Sequence, residues 1–313
     1  MRESGGKTRL SGYVEGTAGH DSNVNASTSQ TQILVNAIPI GPVTLAPANL
    51  AQQDSYHGGA AGAEVRHSLD AEWEVYAAGD WRKRIYNTQN QFDATGLDAR
   101  AGAAYAAKAE RLRVNLLDGR NDLGGAHYYD TTGFNGEWRH AFSPANQANV
   151  FVQQAKYRYA DPIMKPNDFD QQMAGAGWAH VSVDGRSSLS GSVYGGTEKD
   201  VSTLITAATP TGGRADGVKR FSGFRIGAQT AIGEKTTLFA GGGVQAGNYD
   251  KVNPLFLVQR NDRFSDLTAG MNWNFAKRWT LRPQLNYSKN SSNIVIYGYV
   301  RRDVSLTVHR DFR

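Results

Sequence analysis

Asp21, Asn23 and Asn25 stand at alternate positions of the segment DSNVN. They offer three side-chain oxygens with the i, i+2, i+4 spacing that opens a calcium loop. The rest of such a loop is missing: Ala26 stands where the sharp-turn glycine belongs and Gln32 where the closing bidentate Glu belongs. Asp and Asn also cap turns by bonding nearby backbone, and that is the reading the segment supports. The seven histidines (His20, His57, His67, His127, His140, His180 and His309) show no pair at helical metal spacing. No GxSxG elbow is present. The glycine-rich stretches 175–179 and 241–247 resemble phosphate loops, but no helix pattern follows either of them. With no Cys, the chain has neither a disulfide framework nor a thiolate metal site. The sequence therefore predicts no catalytic residue, no cofactor and no metal, and the chemistry left to explain is that of charged side chains on a scaffold.

Those charges recur with a period of two. Trp73, Val75, Ala77, Gly79 and Trp81 alternate with Glu74, Tyr76, Ala78 and Asp80; Phe224, Ile226 and Ala228 alternate with Arg225, Gly227 and Gln229. The same holds for Leu267 to Phe275, for Trp279 to Tyr287, and for Val304, Leu306 and Val308 against Ser305, Thr307 and His309. Alternation makes one apolar and one polar face. In a sandwich the apolar face is the core; in a membrane barrel it meets lipid and the polar face lines a wet lumen. A mean hydropathy of −0.51 fits such strands, and no run of about 18 apolar residues offers a membrane helix. By alternation Glu72, Glu74, Arg82, Arg111, Arg113, Glu137, Arg139, Arg225 and Arg282 are expected to line the pore. The net charge of +5 is interspersed, with no basic stripe for nucleic acid.

The connections decide between the two architectures. About fourteen strand segments of about 9–14 residues are separated by links that alternate short and long. The short ones are 68–71, 107–110, 143–146, 184–187, 233–236 and 276–278; the long ones are 20–55, 83–95, 118–130, 160–169, 196–218, 249–262 and 288–297. This predicts an all-β fold: a transmembrane antiparallel β-barrel over 8–313 with short periplasmic turns, long extracellular loops and both termini in the periplasm of a bacterial outer membrane. Outer-membrane lipid is the partner of its outer face. Residues 1–7 are a lead-in without the basic and apolar regions of a signal peptide, so the chain reads either as a mature form with a start Met added or, the favoured expectation, as one from which an upstream domain has been removed. The apolar, Pro-broken segment 33–50 reads either as a loop packed on itself or as one that folds over the pore or meets a partner. Aromatics near segment ends (Trp73, Trp81, Trp138, Phe142, Trp273, Phe275, Trp279, Tyr287, Phe312) suggest interface girdles.

Two regions carry a family resemblance: GHDSNVN over 19–25, and WTLRPQLNYSKNSSNIVIY over 279–297 followed by YVRRDVSLTVHRDF over 299–312. They resemble the C-terminal barrel of the surface lipoprotein assembly modulator (Slam) family. Its members open on an Asp-x-Asn-x-Asn turn and close on a Trp-x-Leu-x-Pro…Asn-x-Ser-Asn…Tyr strand pair with a terminal Phe. The resemblance implies an upstream periplasmic tetratricopeptide-repeat domain. It also implies a translocon that delivers surface lipoproteins, or related secreted haem- and metal-scavenging proteins, across the outer membrane, inserted by the outer-membrane assembly machinery. Composition and periodicity fit a passive porin or an exopolysaccharide-export barrel equally. The closing strand, with Val304, Leu306, Val308 and Phe312, departs from the usual assembly signal at Thr307 and Arg310, and Arg313 trails the Phe. Gly12, Gly16 and Gly19 add no packing where strand 8–20 meets strand 297–312, so that seam is expected to be weak, with Val14 near Leu306.

Overall fold

The computed structural model describes residues 7–37, 41–206, 209 and 212–312. Of the lead-in, only Lys7 falls among them. The strands are β1 (Thr8–Asp21), β2 (Gln32–Leu34), β3 (Pro42–Thr44), β4 (Asp54–Ser68), β5 (Trp73–Tyr86), β6 (Ala94–Ala107), β7 (Glu110–Leu123) and β8 (Ala126–Ala141). They continue as β9 (Asn146–Tyr159), β10 (Phe169–Val181), β11 (Ser187–Asp200), β12 (Lys219–Ala231), β13 (Thr236–Val252), β14 (Gln259–Ala276), β15 (Trp279–Ser292) and β16 (Tyr299–Phe312). β2 and β3 form a separate two-stranded hairpin, and the other fourteen close an antiparallel barrel in which β16 returns to β1. Closure leaves no edge, so every ladder group has a partner where water is absent.

The side chains confirm which solvent each face meets. Leu116, Val193, Ile226 and Val304 point outward and are 56–69% exposed, more large apolar surface than a soluble fold leaves bare. The inward residues are mostly polar, aromatic or small, and among the described residues no continuous apolar core fills the barrel. Ile294, Asn23 and Asp21, the largest fully buried side chains, all lie at the end that carries the long connections, here the loop end. At one close approach a glycine is required: a Cβ on Gly19 would sit 2.6 Å from the Tyr56 ring, which lies flat across it on the lumen wall.

Two expectations need correction. Ten of the fourteen barrel strands are 13–14 residues long, at the top of the expected range, and β4, β8, β13 and β14 run to 15–18, because ladders continue past the apolar band. For the same reason the expected loop 118–130 is almost all strand. β7 and β8 meet at Gly124-Gly125, whose φ values of 58° and 80° suit a tight hairpin turn. The register also moves the seam pairing: Val14 lies opposite Arg310, and Leu306 opposite Ala18.

The seam is thinner on its outer face than on its inner one. A Cβ at Gly16 would meet nothing. Inside, Thr17 and Thr307 hydroxyls are 2.8 Å apart, His309 bonds Glu15 at 2.8 Å and stacks on Tyr13, and Tyr56 donates to Asp303 at 3.1 Å. Lumen-side braces thus offset the missing packing. Arg310 lies 5.0 Å from the ring centroids of Trp279 and Phe312, which places its charge in the rim of aromatics rather than in the apolar band.

Candidate functional site: the two ends of the lumen

Strand alternation puts Glu74, Arg82, Arg111, Arg113, Glu137, Arg139, Arg225 and Arg282 on the lumen wall. Glu72 stands one residue before β5, in the turn 69–72, at the rim. The structure brings six of the nine together. Glu72, Glu74, Arg111, Arg113, Glu137 and Arg139 line one cavity of about 500 Å³ at the turn end, with Arg9, Arg66 and Asp70. Glu137 and Arg139 also line the neighbouring cavity of about 330 Å³ that holds Arg225. Arg82 and Arg282 lie apart: Arg82 pairs with Asp98 at 2.6 Å, and Arg282 sits 3.5 Å from Glu15.

The turn-end charges are wet. Arg139 pairs with Glu137 at 2.8 Å and Arg66 with Glu74 at 3.2 Å, and the Arg side chains keep 47% and 42% of their surface in water. Such pairs contribute little stability. Arg113 donates instead to the Tyr76 hydroxyl at 2.7 Å, its guanidinium over the ring.

The loop end is built oppositely, from residues that sequence reasoning did not single out for the lumen. Asp21 is fully buried. It accepts from Arg301 Nε at 3.0 Å, from the Tyr86 hydroxyl at 3.1 Å and from its own turn at Asn23 N. Asp303 accepts from Arg84 at 3.2 Å and from Tyr56 at 3.1 Å, and Arg84 covers the Tyr56 ring. Two Asp and two Arg thus cancel at the head of the seam. Asn23 and Asn25 do what turn chemistry predicts. Asn23 donates to the carbonyls of Ser27 and Val300, and Asn25 to that of Leu50, tying both ends of the connection 22–53 to the barrel. With Asp21 committed to Arg301, these oxygens do not converge on a cation, and no metal-binding group of His, Asp or Glu occurs among the described residues.

A second knot stands on β11–β14. Glu198 binds Arg214 and Lys219, both at 3.0 Å. Asp216 accepts from Asn253 at 2.7 Å and from Arg260 at 3.2 Å, and Arg260 pairs with Asp262 while its guanidinium lies 3.4 Å from the Tyr297 ring centroid. Arg214 and Asp216 belong to the connection 201–218, so that loop is latched into the lumen. Above it, the β2–β3 hairpin packs Ile33 against Phe256 and Ile294, with Val43 and Leu45 beside them. Ala37 N bonds Leu255 O at 3.0 Å. The described residues of segment 33–50 therefore do not pack on themselves alone but lean on the connections 253–258 and 293–298, and with the latched loop they form a packed layer, the roof, at this end (residues 38–40 of the segment lie outside the described residues). Burial raises the pKa of the loop tyrosine Tyr297 above its ordinary value. At the same end a cavity of about 750 Å³ is lined by Tyr13, Tyr56, Tyr86, Tyr128 and Tyr129 with Arg82, Arg84 and Arg301.

Fold comparison finds outer-membrane barrels. The outer membrane channel DcaP of Acinetobacter baumannii is similar over 99% of this chain and 98% of its own, at 9% identity and a TM-score of 0.54. OmpT of Vibrio cholerae covers 100% and 99% at 8% identity and TM-score 0.51. A Pseudomonas aeruginosa FadL homologue covers 98% and 91% at 10% identity and TM-score 0.50. At these identities the likeness is one of fold alone. No curated protein sequence matches the chain. The family described as surface lipoprotein assembly modifier matches residues 11–312, nearly the whole barrel. This chain is an outer-membrane β-barrel and belongs to the surface lipoprotein assembly modifier family.

Proposed function

We propose that the barrel is a non-enzymatic translocon that carries surface lipoproteins, or related secreted haem- and metal-scavenging proteins, across the outer membrane. The turn end, with the termini, faces the periplasm and receives the client; the loop end faces outward. The observation that carries this reading is the family match over residues 11–312. The two ends supply its physical form. Exposed Arg and Glu at the open turn end exchange partners with an arriving chain, and the roof must part to release it. A fourteen-strand lumen suits an extended chain rather than a folded domain, so folding outside makes the movement irreversible. The outer-membrane assembly machinery inserts the barrel through its closing strand, and an upstream periplasmic repeat domain holds the client.

The test is surface display. The full-length protein is co-produced with a small surface lipoprotein as client, and intact cells are treated with protease. Cleavage of the client only when the barrel is present supports translocation. A passive porin is the second reading, favoured by the likeness to channel proteins. It predicts unchanged client exposure together with free uptake of small solutes by liposomes holding the barrel.

A further inference from the structure

Arg263, Lys289 and Arg302 all point outward and are exposed. They stand on the adjacent strands β14, β15 and β16. Arg302 lies opposite Tyr287, and Tyr287 opposite Leu267. Lys289 is two residues toward the loop end from Tyr287, and Arg263 four from Leu267. Strand tilt staggers a level ring in this same direction by about one to two residues per strand, so the three charges lie at similar heights. The inward arginines of the same three strands, Arg260, Arg282 and Arg301, are each matched by a carboxylate. None of the outward three makes an ion pair with another described residue. The outward positions around them, Gln259, Asn261, Ser265, Ser291 and Val300, carry no acid.

Directly below lies apolar wall: Leu267, Leu285, Val304 and Leu306 are 44–56% exposed. A basic trio on the upper edge of a lipid-facing apolar surface is complementary to one kind of molecule, an acylated amphiphile whose head carries phosphate. Arg forks bind phosphate oxygens in pairs, and Lys adds a point charge. At the outer leaflet of an outer membrane such an amphiphile is a phosphorylated glycolipid.

We propose that Arg263, Lys289 and Arg302 form a binding site for the phosphates of lipid A on the outer wall of β14–β16, beside the seam. The occupant rests on the orientation proposed above; the affinity does not. The site holds a lipid against the closing strand, and the client passes on the other side of the wall.

The experiment is native mass spectrometry of the full barrel in uncharged detergent, with bisphosphoryl lipid A as probe. Wild type retains the lipid, and the triple variant Arg263→Gln, Lys289→Gln, Arg302→Gln retains it about a hundredfold more weakly, the combined effect of three basic groups at an anionic lipid. Arg310→Gln, outward and basic at the turn end, serves as control and keeps wild-type retention. The heat-dependent gel shift of the folded barrel certifies that each variant is closed. Equal retention by the triple variant, equal loss in Arg310→Gln, equal binding of dephosphorylated lipid A, or displacement by millimolar inorganic phosphate would each overturn the proposal. Orientation is read separately. The chain lacks Cys, so Ile163→Cys, at an 83% exposed loop position, is labelled on intact cells by an impermeant maleimide only if the loop end faces outward. A barrel facing the other way fails the labelling, whereas a trio without affinity fails the mass measurement.

Discussion

The two ends of this barrel use the same residue types in opposite solvents. At the turn end the aromatics face lipid: Trp73, Trp138, Trp178, Trp273 and Trp279 all sit on outward positions near that rim. Arg and Glu face the lumen and remain wet. At the loop end the aromatics turn inward. Tyr129, Tyr157 and Tyr159 cluster with Phe169, and Tyr249 and Tyr297 flank Arg260. There the inward charges are neutralised in pairs, while the outward Arg263, Lys289 and Arg302 make no ion pair with another described residue. An aromatic belt anchors one rim, whereas rings and ion pairs pack the lumen wall at the other. One end keeps its lumen charges in water, and the other pairs and packs them.

The largest expected effect tests whether the roof is the moving part. The inward pairs of the β1–β16 ladder are its non-hydrogen-bonded pairs, since Ser22, next on the outward face, donates to Arg302 O. Such pairs bring Cα atoms to about 4.5 Å, within disulfide range. Thr17→Cys with Thr307→Cys is therefore expected to crosslink to completion on oxidation, read as a loss of heat-induced unfolding on a gel. Val14→Cys with Leu306→Cys is expected not to crosslink, because the register separates them. A locked barrel that still displays its client at the unlocked rate confines the motion to the roof; one that fails to display it makes the seam a gate.

Next is conductance. Replacing 202–217 by a short Gly-Ser link removes Arg214 and Asp216, and with them the latch to Glu198 and Arg260. Single-channel current in planar bilayers is expected to rise several-fold. Replacing the turn 182–186 in the same way is expected to leave it unchanged. Equal effects at both ends would abolish the contrast between a roof and an open mouth.

Stability follows. Asp21→Asn leaves Arg301 and Arg84 with Asp303 alone. Removing one partner of a buried pair costs about 3–5 kcal/mol; Arg301 keeps 30% of its side chain in water, so about 2–3 kcal/mol is expected here. Glu137→Gln, whose partner Arg139 is half exposed, is expected to cost less than about 1 kcal/mol. Urea unfolding of the barrel in detergent measures both.

Much of this was legible in the sequence, for reasons specific to each residue. Trp73 to Trp81 and Leu267 to Phe275 alternate because lipid and water force them to. The lumen charges follow from the same pattern. That pattern ends where the membrane ends, though the ladder does not: Asp118, Arg120 and Asp122 are polar on the outer face of β7 above the apolar band, so the segment reads as loop while its backbone remains strand. The roof was hidden for a different reason. Asp21 meets Arg301 across 280 residues of sequence, and nothing local marks either as a partner. The Asp-x-Asn-x-Asn turn and the Arg301-Arg302-Asp303 run were the two visible signs, and only closing the barrel makes them neighbours.

The smallest effect concerns the turns, where a carboxylate acts with no burial at all. Asp70 accepts from the N–H of Glu72 at 2.8 Å and of Trp73 at 2.7 Å, closing the turn 69–72. These backbone donors hold its carboxyl below the usual range. A depressed folded pKa means that the contribution is complete above the unfolded value of about 4 and disappears as the pH falls through the folded one. Asp184 behaves alike, through the Ser182 hydroxyl first and the Arg186 N–H second. Wild type is therefore expected to lose slightly more stability than Asp70→Asn or Asp184→Asn between about pH 6 and pH 3. The slope of the urea midpoint against pH measures this. Both groups are solvated, so the difference must be far smaller than the loss in Asp21→Asn at neutral pH. If Asp70→Asn instead unfolds the barrel as readily as Asp21→Asn, the turn end is not the loosely held rim, and the two ends share one mechanical role.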